Sequence, residues 1–158
     1  MLFYRRALDL RKTEFGLKHR KSAASLRCIG LTQLLFKQTD EAINVLSEVL
    51  QVTHHLNTEE IFRRVDETRR DYVVAAIFLG DAYYANRQCE EARSLWLEAE
   101  RVCIEIASED SNTNLPTSIV EMYESRLRQG DLVSDEEPLP AFDLEEVNNI
   151  APYIFVDD

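Results

Sequence analysis

Two stretches of the chain repeat the same order of small and large residues at a constant offset. The three aligned pairs are Gly30 with Gly80, Ala42 with Ala92, and Leu46 with Trp96. The interval from glycine to alanine is the same in both stretches, and it is the spacing that a helix, a tight turn and an antiparallel helix need for close contact. Glycine inside a helix costs about 1 kcal/mol relative to alanine, so its repetition indicates close packing. The repeat predicts two helical hairpins, each with small residues where its helices meet.

The placement of proline favours a nearly continuous series of helices. All four prolines lie beyond residue 115, and three of the four glycines precede them. The spacing of apolar residues predicts six helices, at 2–15, 22–37, 40–55, 58–86, 89–108 and 115–129. No segment alternates with a period of two residues for long enough to predict a strand. The predicted fold class is all-α, built from antiparallel helical hairpins.

Polar residues near the predicted helix ends match known capping patterns. Thr39 followed by Asp40 and Glu41 matches an N-cap with carboxylates in the first turn. Asn57 with a glutamate three residues later matches a capping box and predicts a helix start near residue 58. Gly130 matches the glycine that follows a helix end.

The negative charge is concentrated at the end of the chain. Residues 131–158 contain nine of the 29 acidic residues and none of the 18 basic ones. Acidic and spaced apolar residues alternate there, which is typical of a flexible tail. Positions 1–22 are instead basic, with seven Lys or Arg and two acidic residues. We expect an acidic tail at 131–158 that either folds back and caps the repeats in the same chain or is a solubilising terminus without a partner.

The second hairpin resembles the tetratricopeptide repeat (TPR). The matching residues are Leu79, Gly80 and Tyr83 on the first helix and Ala92, Trp96 and Ala99 on the second. The copy at 23–52 matches less fully, because Gln33 occupies the position of the tyrosine. The resemblance covers residues 1–107 and implies an αα superhelix of stacked hairpins.

The start of the chain resembles the kinesin-light-chain-like form of this repeat. Tyr4 and Ala7 match the last core positions of a second helix, and the interval from Ala7 to the equivalent Val49 is similar to the longer period of that family. The stretch FGLKHRKSAASL is similar to the inter-repeat loop of that family, with Arg20 in place of its proline. The predicted repeat domain, 1–130, comprises a half repeat at 1–16, repeats at 22–56 and 58–108, and a capping helix at 115–129.

The resemblance implies a non-catalytic protein-protein interaction module, a scaffold or adaptor that binds a peptide or a partner helix. Such repeats bind extended peptides on a concave surface lined by their first helices. The residues expected to be exposed on this concave surface are Arg27, Cys28, Leu31, Leu34, Phe78, Asp81 and Tyr84. Arg27 and Asp81 are expected to be the polar anchors of an apolar groove. The alternative is that Leu31 and Phe78 pack against neighbouring repeats.

An enzymatic alternative rests on His55 and Glu59, which are four residues apart and resemble metal ligands or an acid-base pair. Asn57 and Thr58 are expected to interrupt the helix between them. The sequence nearby offers no third ligand, phosphate-binding loop or nucleophile elbow, and the cysteines lack metal-ligand spacing. We therefore expect no enzyme, no cofactor and no metal.

The remaining expectations concern partners and location. The charge balance argues against nucleic-acid binding, and no apolar stretch is long enough to cross a membrane. The first residues lack the order of a secretory signal, which favours the cytoplasm. The incomplete first repeat suggests self-association through the N-terminal helix. It also suggests that the chain is a structural fragment of a longer array whose binding site lies upstream.

Overall fold

The computed structural model describes residues 2–58, 66–109 and 117–132, and within these ranges it consists of helices joined by short turns. The six helices are α1 (Leu2–Phe15), α2 (Arg20–Leu35), α3 (Thr39–Thr58), α4 (Asp66–Ala85), α5 (Cys89–Glu109) and α6 (Thr117–Leu132). Each helix packs against the next one along the chain. The predicted all-α class is confirmed. None of these helices is both long and apolar enough to span a bilayer.

Two predicted helix ends are wrong. α3 continues through Thr58, so Asn57 lies inside this helix and neither caps the next one nor interrupts α3. α6 runs to Leu132, so Gly130 lies inside it and does not mark its end. The carboxylates Asp40 and Glu41 do lie in the first turn of α3, where they compensate the positive end of the helix dipole. The tail proposed at 131–158 lies outside the described residues beyond 132.

The two hairpins turn in the same way. Lys37 and Arg87 occupy equivalent positions, and both have left-handed backbone conformations, with φ of 59° and 60°. In the first turn the Gln38 amide donates to the Gln33 carbonyl at 2.9 Å and the Lys37 amide to the Leu34 carbonyl at 2.9 Å. Both bonds recur at the equivalent positions of the second turn with closely similar lengths. This pattern is a Schellman motif, which satisfies the last carbonyls of a helix.

The second hairpin closes around Gly80. A Cβ atom added to Gly80 would lie 2.7 Å from Cδ1 of Trp96 and 3.2 Å from the Ala92 carbonyl oxygen. Trp96 is 1% exposed, and its indole Nε1 donates to the Ile77 carbonyl at 3.3 Å. The predicted close contact of α4 and α5 is therefore confirmed, and the indole fills the space that the missing side chain leaves.

The first hairpin repeats this contact with a smaller partner. A Cβ atom added to Gly30 would lie 2.7 Å from Cγ of Leu46, which is fully buried. Leu46 stands where the second hairpin has Trp96, so each glycine faces the large residue that the sequence alignment assigns to it.

The hairpins pack against each other through α3 and α4. Asn86, at the tip of the second hairpin, donates its side-chain amide to Asp40 at 3.3 Å and accepts from the Thr39 hydroxyl at 3.4 Å. Residues 71–82 of α4 are all buried, because this helix lies between its neighbours. One hydrophobic cluster extends from α2 to α6 and includes Phe78, Ile106 and Ile119. α4 is thus the central helix of the described fold.

Substituting Gly80 with alanine should destabilise the protein by about 1–3 kcal/mol, because the added methyl group collides with the rigid Trp96 ring. Gly30→Ala should cost less, because the flexible Leu46 side chain can move away. Urea unfolding of both variants measures the difference. If Gly80→Ala instead gains the stability that alanine usually brings to a helix, the close contact is contradicted.

Candidate functional site

The residues predicted to line an exposed concave surface are buried. Their exposed fractions are Arg27 3%, Cys28 6%, Leu31 4%, Leu34 4%, Phe78 1%, Asp81 5% and Tyr84 6%. The expected exposure is therefore wrong. Leu31, Leu34 and Phe78 belong to the cluster that joins α2 to α4, which is the alternative of packing between repeats. Their role in peptide binding stays a prediction.

Arg27, one of the two predicted polar anchors, pairs within the chain. Its Nη1 lies 3.3 Å from Oδ1 of Asp71 on α4, and Arg20 pairs with the other oxygen of the same carboxylate. Asp71 thus neutralises charge from two turns of α2 and holds α2 against the first half of α4. Sequence reasoning did not single out Asp71, because nothing local marks a partner 44 residues away.

Asp81, the second predicted anchor, pairs with Arg126 on α6. Nε of Arg126 lies 3.0 Å from Oδ1 and Nη2 lies 3.3 Å from Oδ2, a two-point contact between side chains that are 9% and 4% exposed. Planar guanidinium and carboxylate groups favour this geometry. α4 therefore has one aspartate joined to α2 and another joined to α6.

α1 presents large apolar side chains to solvent. Leu2, Phe3 and Leu10 are 78%, 86% and 66% exposed. Phe3 and Leu10 are seven residues apart and lie on the same side of the helix. Arg6 is exposed on the same side, whereas Arg5 is exposed beside Leu2 on the adjacent side of the helix. We call these five residues the α1 surface. It combines apolar and positive groups.

A pocket of about 490 Å³ opens between α3, α4 and α5. Its lining residues are Leu50, Leu79, Tyr83, Glu90, Glu91, Ser94 and Leu95. Leucine and tyrosine side chains form its apolar part, and the exposed carboxylates of Glu90 and Glu91 come from the first turn of α5. We call it the acidic pocket. Such a site suits an apolar side chain that lies beside a positive charge.

The sequence indicated Leu79 and Tyr83 as packing residues and not as a binding site. They line a pocket only because α3 and α5 pack beside α4 in the folded chain. A carboxylate pair at a helix start has an ordinary explanation, since it compensates the helix dipole. The pocket was therefore missed.

The shifted titratable groups of the described helices are poorly suited to catalysis near neutral pH. Burial raises the pKa of the Cys103 thiol to about 12, so its thiolate is not populated at pH 7. Burial and the nearby Glu98 raise the pKa of Tyr72, while the hydrogen bond from Arg101 lowers the pKa of Glu98. Each shift moves the group away from neutrality.

Only one member of the proposed metal or acid-base pair belongs to the described structure. His55 is exposed on α3, and Glu59 lies outside the described residues. Across 2–58, 66–109 and 117–132, no three His, Cys, Asp or Glu residues are grouped to hold a metal ion.

Removing Asp81 should cost more stability than removing an exposed charge. Asp81→Ala strands a buried guanidinium, with an expected loss of about 3–5 kcal/mol. The double variant Asp81→Ala/Arg126→Met should lose less, because no charge remains buried. Glu124→Ala is the control, since Glu124 and Arg128 are 52% and 73% exposed and their pair should contribute about 0–1 kcal/mol. Urea unfolding of the wild type and the three variants measures these free energies. Equal losses of stability for Asp81→Ala and Glu124→Ala would contradict the role of the buried pair.

Thiol labelling should separate the three cysteine thiols. Half-buried Cys89 should react first, whereas Cys28 and Cys103 are buried and should react only on unfolding. The raised pKa of Cys103 adds to this protection, because its thiol stays protonated until the pH approaches about 12. Absorbance assays at mildly alkaline pH, with and without urea, count the reactive thiols. Cys89→Ser should abolish the fast phase, and rapid labelling of Cys103 in the native protein would contradict its burial.

No protein-family model, curated protein or solved structure matches the chain, so the tetratricopeptide resemblance stays an expectation drawn from residues 1–107.

Proposed function

We propose that the chain is a non-catalytic protein-protein interaction module, a scaffold or adaptor whose hairpins stack as a tetratricopeptide-like superhelix. Two hairpins with equivalent turns at Lys37 and Arg87 support this arrangement. So do the equivalent glycine contacts, in which the glycine of the first helix lies against the large residue of the second in both hairpins. Units of this kind stack along the chain and leave extended surfaces for a partner.

The acidic pocket is the observation that carries the proposal. It is open and largely apolar, and carboxylates lie at its edge. Its ligand is a peptide or helix with an apolar side chain next to Lys or Arg. The concave surface is the weaker candidate, because Arg27 and Asp81 already pair with groups of the same chain.

A non-catalytic role agrees with the titratable groups. The pKa shifts of Tyr72, Glu98 and Cys103 all lead away from neutral pH. Three cysteines outside any disulfide, two of them buried, fit the reducing environment of the cytoplasm, which we propose as the location.

A displayed library of helical and extended peptides tests the proposed function. We expect the binders to be enriched in an apolar residue beside Lys or Arg. Ser94→Arg places a bulky positive group at an exposed position of the pocket and should weaken these binders by about tenfold, or about 1.4 kcal/mol. Fluorescence anisotropy with the selected peptides gives the dissociation constants.

Ala107→Arg is the matched control, because it adds the same side chain at another exposed position of α5 that does not line the pocket. It should leave the affinity unchanged. A library without binders, or equal affinities for the wild type and Ser94→Arg, would overturn the proposed function at this pocket.

A further inference from the structure

The α1 surface and the acidic pocket have complementary properties. The first has exposed Leu2, Phe3 and Leu10 beside Arg5 and Arg6. The second has an apolar interior beside Glu90 and Glu91. Apolar groups on both sides can be buried together while opposite charges meet at the edge.

The two surfaces belong to different parts of the same fold. α1 packs against α2, where Nη1 of Arg11 donates to the Ser25 hydroxyl at 2.9 Å and to the Lys21 carbonyl at 3.2 Å. Leu8 is buried in the same contact. The pocket is formed by α3, α4 and α5. α1 would have to give up these contacts to reach the pocket of its own chain, whereas the pocket of another copy requires no such rearrangement.

We propose that α1 of one copy docks in the acidic pocket of a second copy, so that the chain associates head to tail. Phe3 or Leu10 enters the apolar part of the pocket, and Arg6, on the same side of α1, faces Glu90 and Glu91, while Arg5 adds positive charge on the adjacent side of the helix. The inference rests on the proposed function, because the same pocket receives the helix. Contacts between two different surfaces repeat from copy to copy and build a ring or a filament.

The charges of α1 disfavour the simpler pairing of two α1 helices. α1 has four basic residues, Arg5, Arg6, Arg11 and Lys12, and two acidic ones, Asp9 and Glu14. A symmetric contact would bring two such positive helices together, whereas the pocket offers carboxylates. Electrostatics thus select the pocket as the partner of α1.

Charge reversal on either surface tests this association in the full-length protein. Sedimentation equilibrium of the wild type should show a mass that rises with concentration and falls with added salt. Arg5→Glu/Arg6→Glu and Glu90→Lys/Glu91→Lys should each lower the association by about tenfold or more. The variant with all four substitutions restores opposite charges between the two surfaces and should associate again.

Two controls separate folding from docking. Glu124→Lys reverses an exposed charge on α6, outside both surfaces, and should associate as the wild type does. Lysine at the start of α5 opposes the helix dipole, so circular dichroism must show that the helices are retained. If that variant unfolds, Ser94→Arg blocks the pocket instead, and Ala107→Arg is its control.

Three outcomes would overturn the head-to-tail contact. The first is a wild type that stays monomeric at every concentration. The second is a variant with all four substitutions that does not associate again. The third is a loss of association in Arg5→Glu/Arg6→Glu but not in Glu90→Lys/Glu91→Lys. The last outcome would assign α1 to another acidic surface, such as residues 131–158. If the chain is monomeric but still binds library peptides in the pocket, only the head-to-tail contact is overturned and the proposed function stands. If it neither associates nor binds peptides, both proposals are overturned.

Discussion

The packing depends on the close approach of α4 and α5 at Gly80. Because this glycine has no side chain, the Trp96 indole can lie against the α4 backbone and donate to the Ile77 carbonyl. α5 then covers one side of α4, while α2, α3 and α6 occupy the others. A larger residue at position 80 would push α5 away from α4 and expose the apolar side chains that the two helices bury between them. This close contact therefore leaves no room for added volume at position 80.

The hairpins could be predicted because their information is local. Glycine, alanine and a large residue recur in the same order and at the same intervals, and this spacing alone defines which helix faces meet. The turns were harder to predict, because Lys37 and Arg87 hold a left-handed conformation that usually indicates glycine. The helix ends predicted at Asn57 and Gly130 were wrong because residues that often cap helices also occur inside helices that continue.

The candidate site could not be predicted to the same degree. Arg27 and Asp81 resemble surface anchors in the sequence, but their partners Asp71 and Arg126 are 44 and 45 residues away along the chain. Only the three-dimensional stacking of α2, α4 and α6 brings these charges together. The acidic pocket likewise combines residues from three helices. The periodicity of the sequence identifies which residues lie on one face of a helix. Which residues of another helix they contact depends on how the helices cross, and periodicity does not give this.

The position of α1 has a consequence for the dynamics of the chain. α1 is held mainly by α2, through Leu8 and Arg11, and its exposed side chains Leu2, Phe3 and Leu10 gain nothing from the core. A helix with a single main neighbour has less packing to lose when it opens, so the amides of α1 should exchange with solvent sooner than those of α4. A bound partner would remove this freedom. Recognition through α1 would then be coupled to the local ordering of this helix, with part of the binding free energy offset by lost motion.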